Sequence, residues 1–555
     1  MAAQTVNLAG LDGSDGFEFE CSNPGDDCGH SIISFSSEGL AQDWLAVSAP
    51  GANSSTGEIY VMNLEQYDSI MSKENLNGAN GYIIKGVDKG DLTGASLETY
   101  SNPLMNYDSL LIGTPNAEST GVVYEFRGRD YDHASSPREF LLEDIHDANG
   151  IRKYGFIFHG AEEGEGFGHS IAVANINNDI YYDVIIGAPS SPDGGKVYLF
   201  YGSDSLDDRY ANALNGENGC VLVQSDASAN FGFSISGYDP SVARYLDYLL
   251  VGSPASSEAY IIKANEFTQA KIDISDLPSE KVLKVSGNLG DNLGYSVLGV
   301  PDINLAAISA PFAEEGGKIY LYIHSESGFS NSDRAVIKAG RDGANLGEGM
   351  NFWFNKDNAY SSGGLAVSAS GDRKIYSINT IDISRMTYPI PSEYNLNSKI
   401  ERNNKNVIFT YSDEVFNCTP HSSGLVNVPE AFTTELKTNL FIGCKDNEGR
   451  GSALSFFSNY KPSPSPHPED GDDDDSGESS LEPLAIAGIA FLSVIGCGCL
   501  VAMLRCCFGK GESDQISYAT SSGSEVPSAV NHWRSRTWAQ HHDSLDRWKA
   551  SVERV

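Results

Sequence analysis

Seven times along this chain a run of apolar residues ends in small residues, five times with a proline behind them. The copies are Leu45-Ala-Val-Ser-Ala-Pro50, Leu110-Leu-Ile-Gly-Thr-Pro115, Val184-Ile-Ile-Gly-Ala-Pro189, Leu250-Val-Gly-Ser-Pro254, Ala307-Ile-Ser-Ala-Pro311, Leu365-Ala-Val-Ser-Ala-Ser370 and Leu440-Phe-Ile-Gly-Cys-Lys445. Successive copies start 57 to 75 residues apart. A short polar turn and a second apolar run follow, as in Gly57-Glu-Ile-Tyr-Val61 and Gly195-Lys-Val-Tyr-Leu199, which reads as hairpin after hairpin. Ahead of the apolar run lies a strand with a small-residue signature, in Gly29-His-Ser31, Gly94-Ala-Ser96, Gly166-Phe-Gly-His-Ser170, Phe231-Gly-Phe-Ser234 and Leu293-Gly-Tyr-Ser296. Copies six and seven have lost most of it. Recurrence at a steady period marks a repeat architecture. A four-stranded sheet cannot bury both faces alone, and radial packing of such sheets about an axis buries them with few free edges. The pattern therefore predicts an all-β fold, a seven-bladed β-propeller over residues 1–460. Glycine and small residues recur because the strands nearest the axis are crowded. Val6-Asn-Leu8, ahead of the first repeat, is expected to pair with the last blade and close the ring.

The third copy adds chemistry. Asn175-Ile-Asn-Asn-Asp-Ile-Tyr-Tyr-Asp183 joins two of its strands. Asn175, Asn177 and Asp179 alternate along the loop, Tyr181 can offer its backbone carbonyl, and Asp183 closes the set. That spacing suits a hard cation with many oxygen ligands, and calcium is the natural occupant. The run resembles the FG-GAP repeat of integrin alpha-subunit head domains, whose loop opens with Asp where this chain has Asn175, so one negative charge is missing. Small FG-GAP membrane proteins of the T-cell immunomodulatory protein type resemble the chain equally in layout. The resemblance implies a calcium-clipped propeller and an adhesion or receptor role. In the fourth repeat Pro240 and Tyr248 occupy the positions of Asn175 and Asp183, so that loop is expected to bind nothing.

Composition divides the rest. Residues 461–483 are Pro-rich and then acidic, an extended spacer rather than a fold. Residues 484–504 contain no charge, and 21 residues at about 1.5 Å each span roughly 30 Å of hydrocarbon, the signature of a transmembrane helix. Arg505 and Lys510 follow it directly, so the positive-inside rule puts residues 505–555 in the cytoplasm and the propeller outside. The tail from Arg505 holds 7 Lys and Arg against 6 Asp and Glu; 30 and 69 remain upstream, so nearly all the formal charge of −38 lies on the outer side. Such a surface argues against nucleic acid and suits cations and cationic partners. The first residues read as no secretory signal, and the expectation is a sequence that begins near the mature end of a type I plasma-membrane protein.

Of nine cysteines, Cys21 with Cys28 and Cys418 with Cys444 are candidate disulfide pairs, and Cys220 is left over as a buried thiol or an intermolecular bridge. Cys506 and Cys507 stand where palmitoylation occurs. Asn53 and Asn417 open glycosylation sequons. The C-terminal Glu553-Arg-Val555 could enter a PDZ groove. No nucleophile elbow, phosphate loop or paired histidine motif appears, so no enzyme is expected. The reading is a single-pass adhesion receptor for an extracellular protein. A lectin-like propeller for glycans and a true integrin alpha-like subunit stay open. The segment after the span lacks the Gly-Phe-Phe-Lys-Arg run through which integrin alpha chains clasp a beta subunit, which argues against that pairing.

Overall fold

A computed structural model describes residues 4–7 and 16–458, apart from 22, 38–41, 65–69, 102–107, 128–137, 146–154, 178, 204, 206, 238–247, 265–266, 301–304, 325–327, 332–333, 354–363, 373, 380–392, 396–406, 411–418, 429–436 and 446–450, with the backbone alone for the strands from residue 393 onward. Residues 1–463 form one compact unit, and the stalk, the expected span and the tail lie outside the described residues. Among the described residues no helix is long and apolar enough to cross a membrane.

The fold is all-β, a β-propeller. Among the described residues its strands form seven separate sheets. Each is an antiparallel meander led by one of the strands Ile32–Ser37, Ser96–Ser101, Ser170–Ala174, Ile235–Gly237, Val297–Val300, Leu346–Trp353 and Thr419–Val428. These leading strands lie side by side in chain order, and the last neighbours the first. In the third sheet the second and third strands, Asp183–Ala188 and Lys196–Phe200, are buried along their whole length. Burial on both faces is why the sequence shows continuous apolar runs instead of alternation. Six hydrophobic cores are described, each sandwiched between consecutive sheets. One joins Ile59 and Ile84 to Leu97 and Ile112; the next joins Leu111 and Val123 to Ile171 and Ile186.

Glycine is required where neighbouring sheets touch. A Cβ on Gly187 would lie 2.2 Å from the Gly232 carbonyl oxygen and 2.2 Å from Ser170 Oγ. The Ser170 hydroxyl donates to that same carbonyl at 2.8 Å, stapling one sheet to the next. Ser96 to Gly168 and Ser234 to Gly294 repeat the bond. Where the second strand carries serine in place of glycine, the hydroxyl turns to its own sheet: Ser48 Oγ accepts from the Ser31 N–H, and Ser309 Oγ accepts from the Ser296 N–H.

The N-terminal strands depart from expectation. Gln4–Asn7 pairs in parallel with Val407–Thr410 in the sixth sheet, while Gly16–Glu20 pairs with Gly451–Ser458 in the last. The closing strand is therefore the second of the chain, and Val6 belongs to an edge addition. The same exchange recurs around the ring. Glu139–Leu141 adds in parallel to Gly81–Lys85, Arg209–Tyr210 to Gly155–His159, Lys271–Asp273 to Gly219–Val223, and Ile70–Ser72 to Gly16–Glu20. Each short segment covers the outer edge of the preceding sheet, where unpaired N–H and C=O groups would otherwise invite another strand.

Candidate functional site

Ser170–Ala174 and Asp183–Ala188 run antiparallel with Ala174 opposite Asp183, so the residues between them form the hairpin connection. Ile176 is buried in the core between the third and fourth sheets and pins the loop, while Ile180 at its tip is 65% exposed. The polar side chains turn inward on one another. Asn175 Oδ1 and Asn177 Oδ1 both accept from the Asp179 N–H, at 3.1 and 3.2 Å. Asp179 Oδ1 accepts from the Tyr181 N–H at 2.6 Å, and Asp179 Oδ2 accepts from the Asn177 amide at 2.8 Å. Asp183 is fully buried. Its Oδ2 accepts from the N–H groups of Ile176 and Asn177, and its Oδ1 from Gly202 at 2.8 Å. A Cβ on Gly202 would lie 2.4 Å from the Tyr182 carbonyl oxygen, so this donor position needs glycine. Burial pushes the Asp183 carboxyl up to about 6; the three N–H groups pull it down and the charge of Asp179 adds to the rise.

The structure thus brings Asn175, Asn177, Asp179, Tyr181 and Asp183 into one bonded loop. Among the described residues no three His, Cys, Asp or Glu side chains gather. Two carboxylates with two amide carbonyls make an all-oxygen donor set, which fits a hard cation such as calcium and suits soft metals poorly. A carboxylate has about four lone-pair positions, and Asp183 uses three on backbone donors. In the fourth repeat Tyr248 opens the strand Tyr248–Ser253 as Asp183 opens its own, and its ring packs 5.1 Å from Phe329 and 5.4 Å from His324. An aromatic cluster stands there in place of a carboxylate.

Cys21 and Cys28 form a disulfide, and Cys220 is a buried free thiol. Asn53 is exposed with φ 53°, and its amide donates to Glu58 Oε1 at 2.6 Å. Asn417, Cys418, Cys506 and Cys507 lie outside the described residues, and Cys444 is described by its backbone, opposite Pro420.

Two features escaped sequence reasoning. At the end of the ring away from the metal loop, the residues that follow the repeat glycine make an aromatic arc. His169 lies 4.8 Å from Phe233, Phe233 5.2 Å from Tyr295, and Tyr295 6.4 Å from Phe312. The signal was present, since His169, Phe233 and Tyr295 share one repeat position. Burial and the neighbouring His30 lower the His169 imidazole to about 4. The second feature is a cleft beside the metal loop, walled by side chains from two sheets and therefore scattered in sequence.

The FG-GAP repeat model matches residues 167–200, a span that contains the metal loop. Integrin alpha-3 of Cricetulus griseus is 25% identical over 225 residues, 39% of this chain and 18% of the relative. This is an integrin alpha-like FG-GAP propeller. Integrin alpha ina-1 of Caenorhabditis elegans is 26% identical over 200 residues, covering 35% of the chain and 17% of the relative. A phosphatidylinositol-glycan-specific phospholipase D of Bos taurus is 29% identical over 189 residues, 31% of the chain and 22% of the relative. The integrin alpha-like region thus spans about a fifth of each relative's length, and it is also similar to part of an enzyme.

Proposed function

We propose that the chain is a single-pass plasma-membrane adhesion receptor whose seven sheets close as a seven-bladed ring, clipped by calcium in the third repeat, and which engages an extracellular protein through the loops at one mouth. The observation that carries this is the loop Asn175–Asp183, already folded with its oxygens inward and lying inside the FG-GAP match. Asn175, Asn177, Asp179, the Tyr181 carbonyl and Asp183 would hold the cation, and its role is structural: it replaces the Asn177 to Asp179 hydrogen bond as the tie across the hairpin. The partner meets the opposite mouth, where His169, Phe233 and Tyr295 present rings. Five strand residues of about 3.3 Å each separate the two ends, roughly 15 Å, so the cation acts on partner binding through the rigidity of the sheet. Residues 461–483 serve as stalk, 484–504 as the membrane span and 505–555 as the cytoplasmic tail. The chain works without an integrin-type beta subunit, and its role is non-catalytic.

The test is calorimetric. Calcium at about 100 times its dissociation constant should stabilise the protein by roughly 2.7 kcal/mol, seen as a rise in melting temperature. Asp179→Ala should abolish the rise. A wild-type melting temperature indifferent to calcium would sink the metal reading. Pull-down of surface proteins by the wild type, and its loss in a Phe233→Ala and Tyr295→Ala double variant, tests the receptor reading separately.

A further inference from the structure

The oxygens of the metal loop differ in what they have left to offer a cation. Asn175 Oδ1 and Asn177 Oδ1 each accept from the Asp179 N–H, and an amide oxygen has a second lone pair to give. Asp183 Oδ2 accepts from both Ile176 and Asn177, and Oδ1 accepts from Gly202, so Oδ1 alone keeps room for an ion. Asp179 Oδ1 is taken up by the Tyr181 N–H at 2.6 Å, which leaves Oδ2 as the oxygen that can turn to a cation. That atom accepts from the Asn177 amide at 2.8 Å.

Asn177 therefore has two opposed roles. Its carbonyl oxygen is a ligand, while its NH2 group competes with the ion for Asp179 Oδ2. A cation reaches that oxygen only when the amide swings aside, and the bond given up is charge-assisted, stronger than one between neutral groups. The N–H bonds to Asn175, Asp179 and Asp183 can persist throughout, anchored by Ile176 in the core. The loop keeps one outline whichever tie holds it. Charge points the same way, because the donor set has two carboxylates and one of them has a single oxygen to give. The charge and number of the ligands tune calcium affinity, and a set this sparse belongs at the weak end, about 0.1–1 mM.

We propose that Asn177 is an internal plug that sets the calcium affinity of the third repeat: its amide holds Asp179 in place of the ion, keeps the dissociation constant at about 0.1–1 mM, and lets the hairpin gain and lose calcium without refolding. The site then follows calcium concentration instead of holding the ion permanently. This rests on the calcium reading above and goes beyond it, since that reading holds at any affinity.

Terbium luminescence on the full-length chain in lipid nanodiscs tests it. Terbium accepts calcium's oxygen ligands and is sensitised by nearby tyrosine, here Tyr181 and Tyr182, and the calcium that displaces it reports its own dissociation constant. Asp179→Ala supplies the background from the acidic stretch of residues 469–475. The wild-type constant should be about 0.1–1 mM. Asn177→Asp, at an exposed position, removes the plug and adds a carboxylate; it should tighten binding by at least about tenfold and lower the calcium-free melting temperature. Asn175→Asp adds the same charge but leaves the bond from Asn177 to Asp179 in place, so its gain should be only about threefold. A wild-type constant below about 10 µM would overturn the plug and leave the calcium reading standing, and so would equal gains from the two substitutions. Terbium that calcium never displaces would overturn both.

Discussion

Gly187 and Ser170 show how one repeat position serves two neighbours. The glycine lets the Gly232 carbonyl approach, and the serine hydroxyl satisfies that carbonyl. Gly187→Ala should cost about 1–3 kcal/mol through overpacking, and Ser170→Ala about 1 kcal/mol for the lost hydrogen bond. Urea unfolding midpoints should rank them in that order; an alanine at 187 as stable as wild type would refute the close contact. Glu98 tests the innermost strands differently. It is half-buried, yet the protein packed around its carboxyl excludes enough water to push it up to about 7, with the Thr99 N–H pulling back. A carboxyl raised in the folded state binds its proton more tightly there, so its contribution is fully present below the ordinary carboxylate range and is lost as pH rises through about 7. Glu98→Gln should therefore gain on wild type between pH 5 and pH 8. An equal difference at both pH values would contradict that assignment.

Elements long enough to be fully buried were legible in the sequence; short ones were not. The run Val184 to Ala188 announced a strand because both faces are covered, and the alternation of Asn175, Asn177 and Asp179 announced the loop whose hydrogen bonds are now visible. Glu139–Leu141 and Arg209–Tyr210 were invisible, since two or three residues carry no period, and what makes them strands is an edge supplied by the preceding sheet. Val6 was sent to the wrong sheet for the same reason. The cleft was illegible because Tyr100, Arg127 and Tyr182 meet only through packing. These small strands still matter energetically. Phe140 is buried with its ring 5.3 Å from Tyr82 and 5.4 Å from Phe126. Phe140→Ala should cost about 3–5 kcal/mol. Neighbouring Glu139, exposed and paired with Lys85 at 2.6 Å, should cost well under about 1 kcal/mol as Glu139→Ala. Thermal melts of the two variants decide it, and near-equal losses would mean that the edge strand is ornamental.

Over the whole molecule, 69 acidic against 30 basic residues upstream of Arg505 set an acidic field that would draw a basic partner, with association that slows as salt rises. Under the proposed orientation, trypsin added to intact cells should remove the propeller and leave a membrane-bound fragment with the tail. Full protection on intact cells, lost on permeabilisation, would reverse the orientation. The exchange of edge strands has a further consequence, in time. Gly16–Glu20 leaves the ribosome among the first segments of the fold, yet its partner Gly451–Ser458 comes more than four hundred residues later. At about 5–20 residues per second this strand waits roughly 20 to 90 seconds for its place. Through that interval the chain carries an unattached strand at the open end of an unclosed arc, so that strand could enter the last sheet of another copy that finishes first, and slow, dilute synthesis favours the closed monomer.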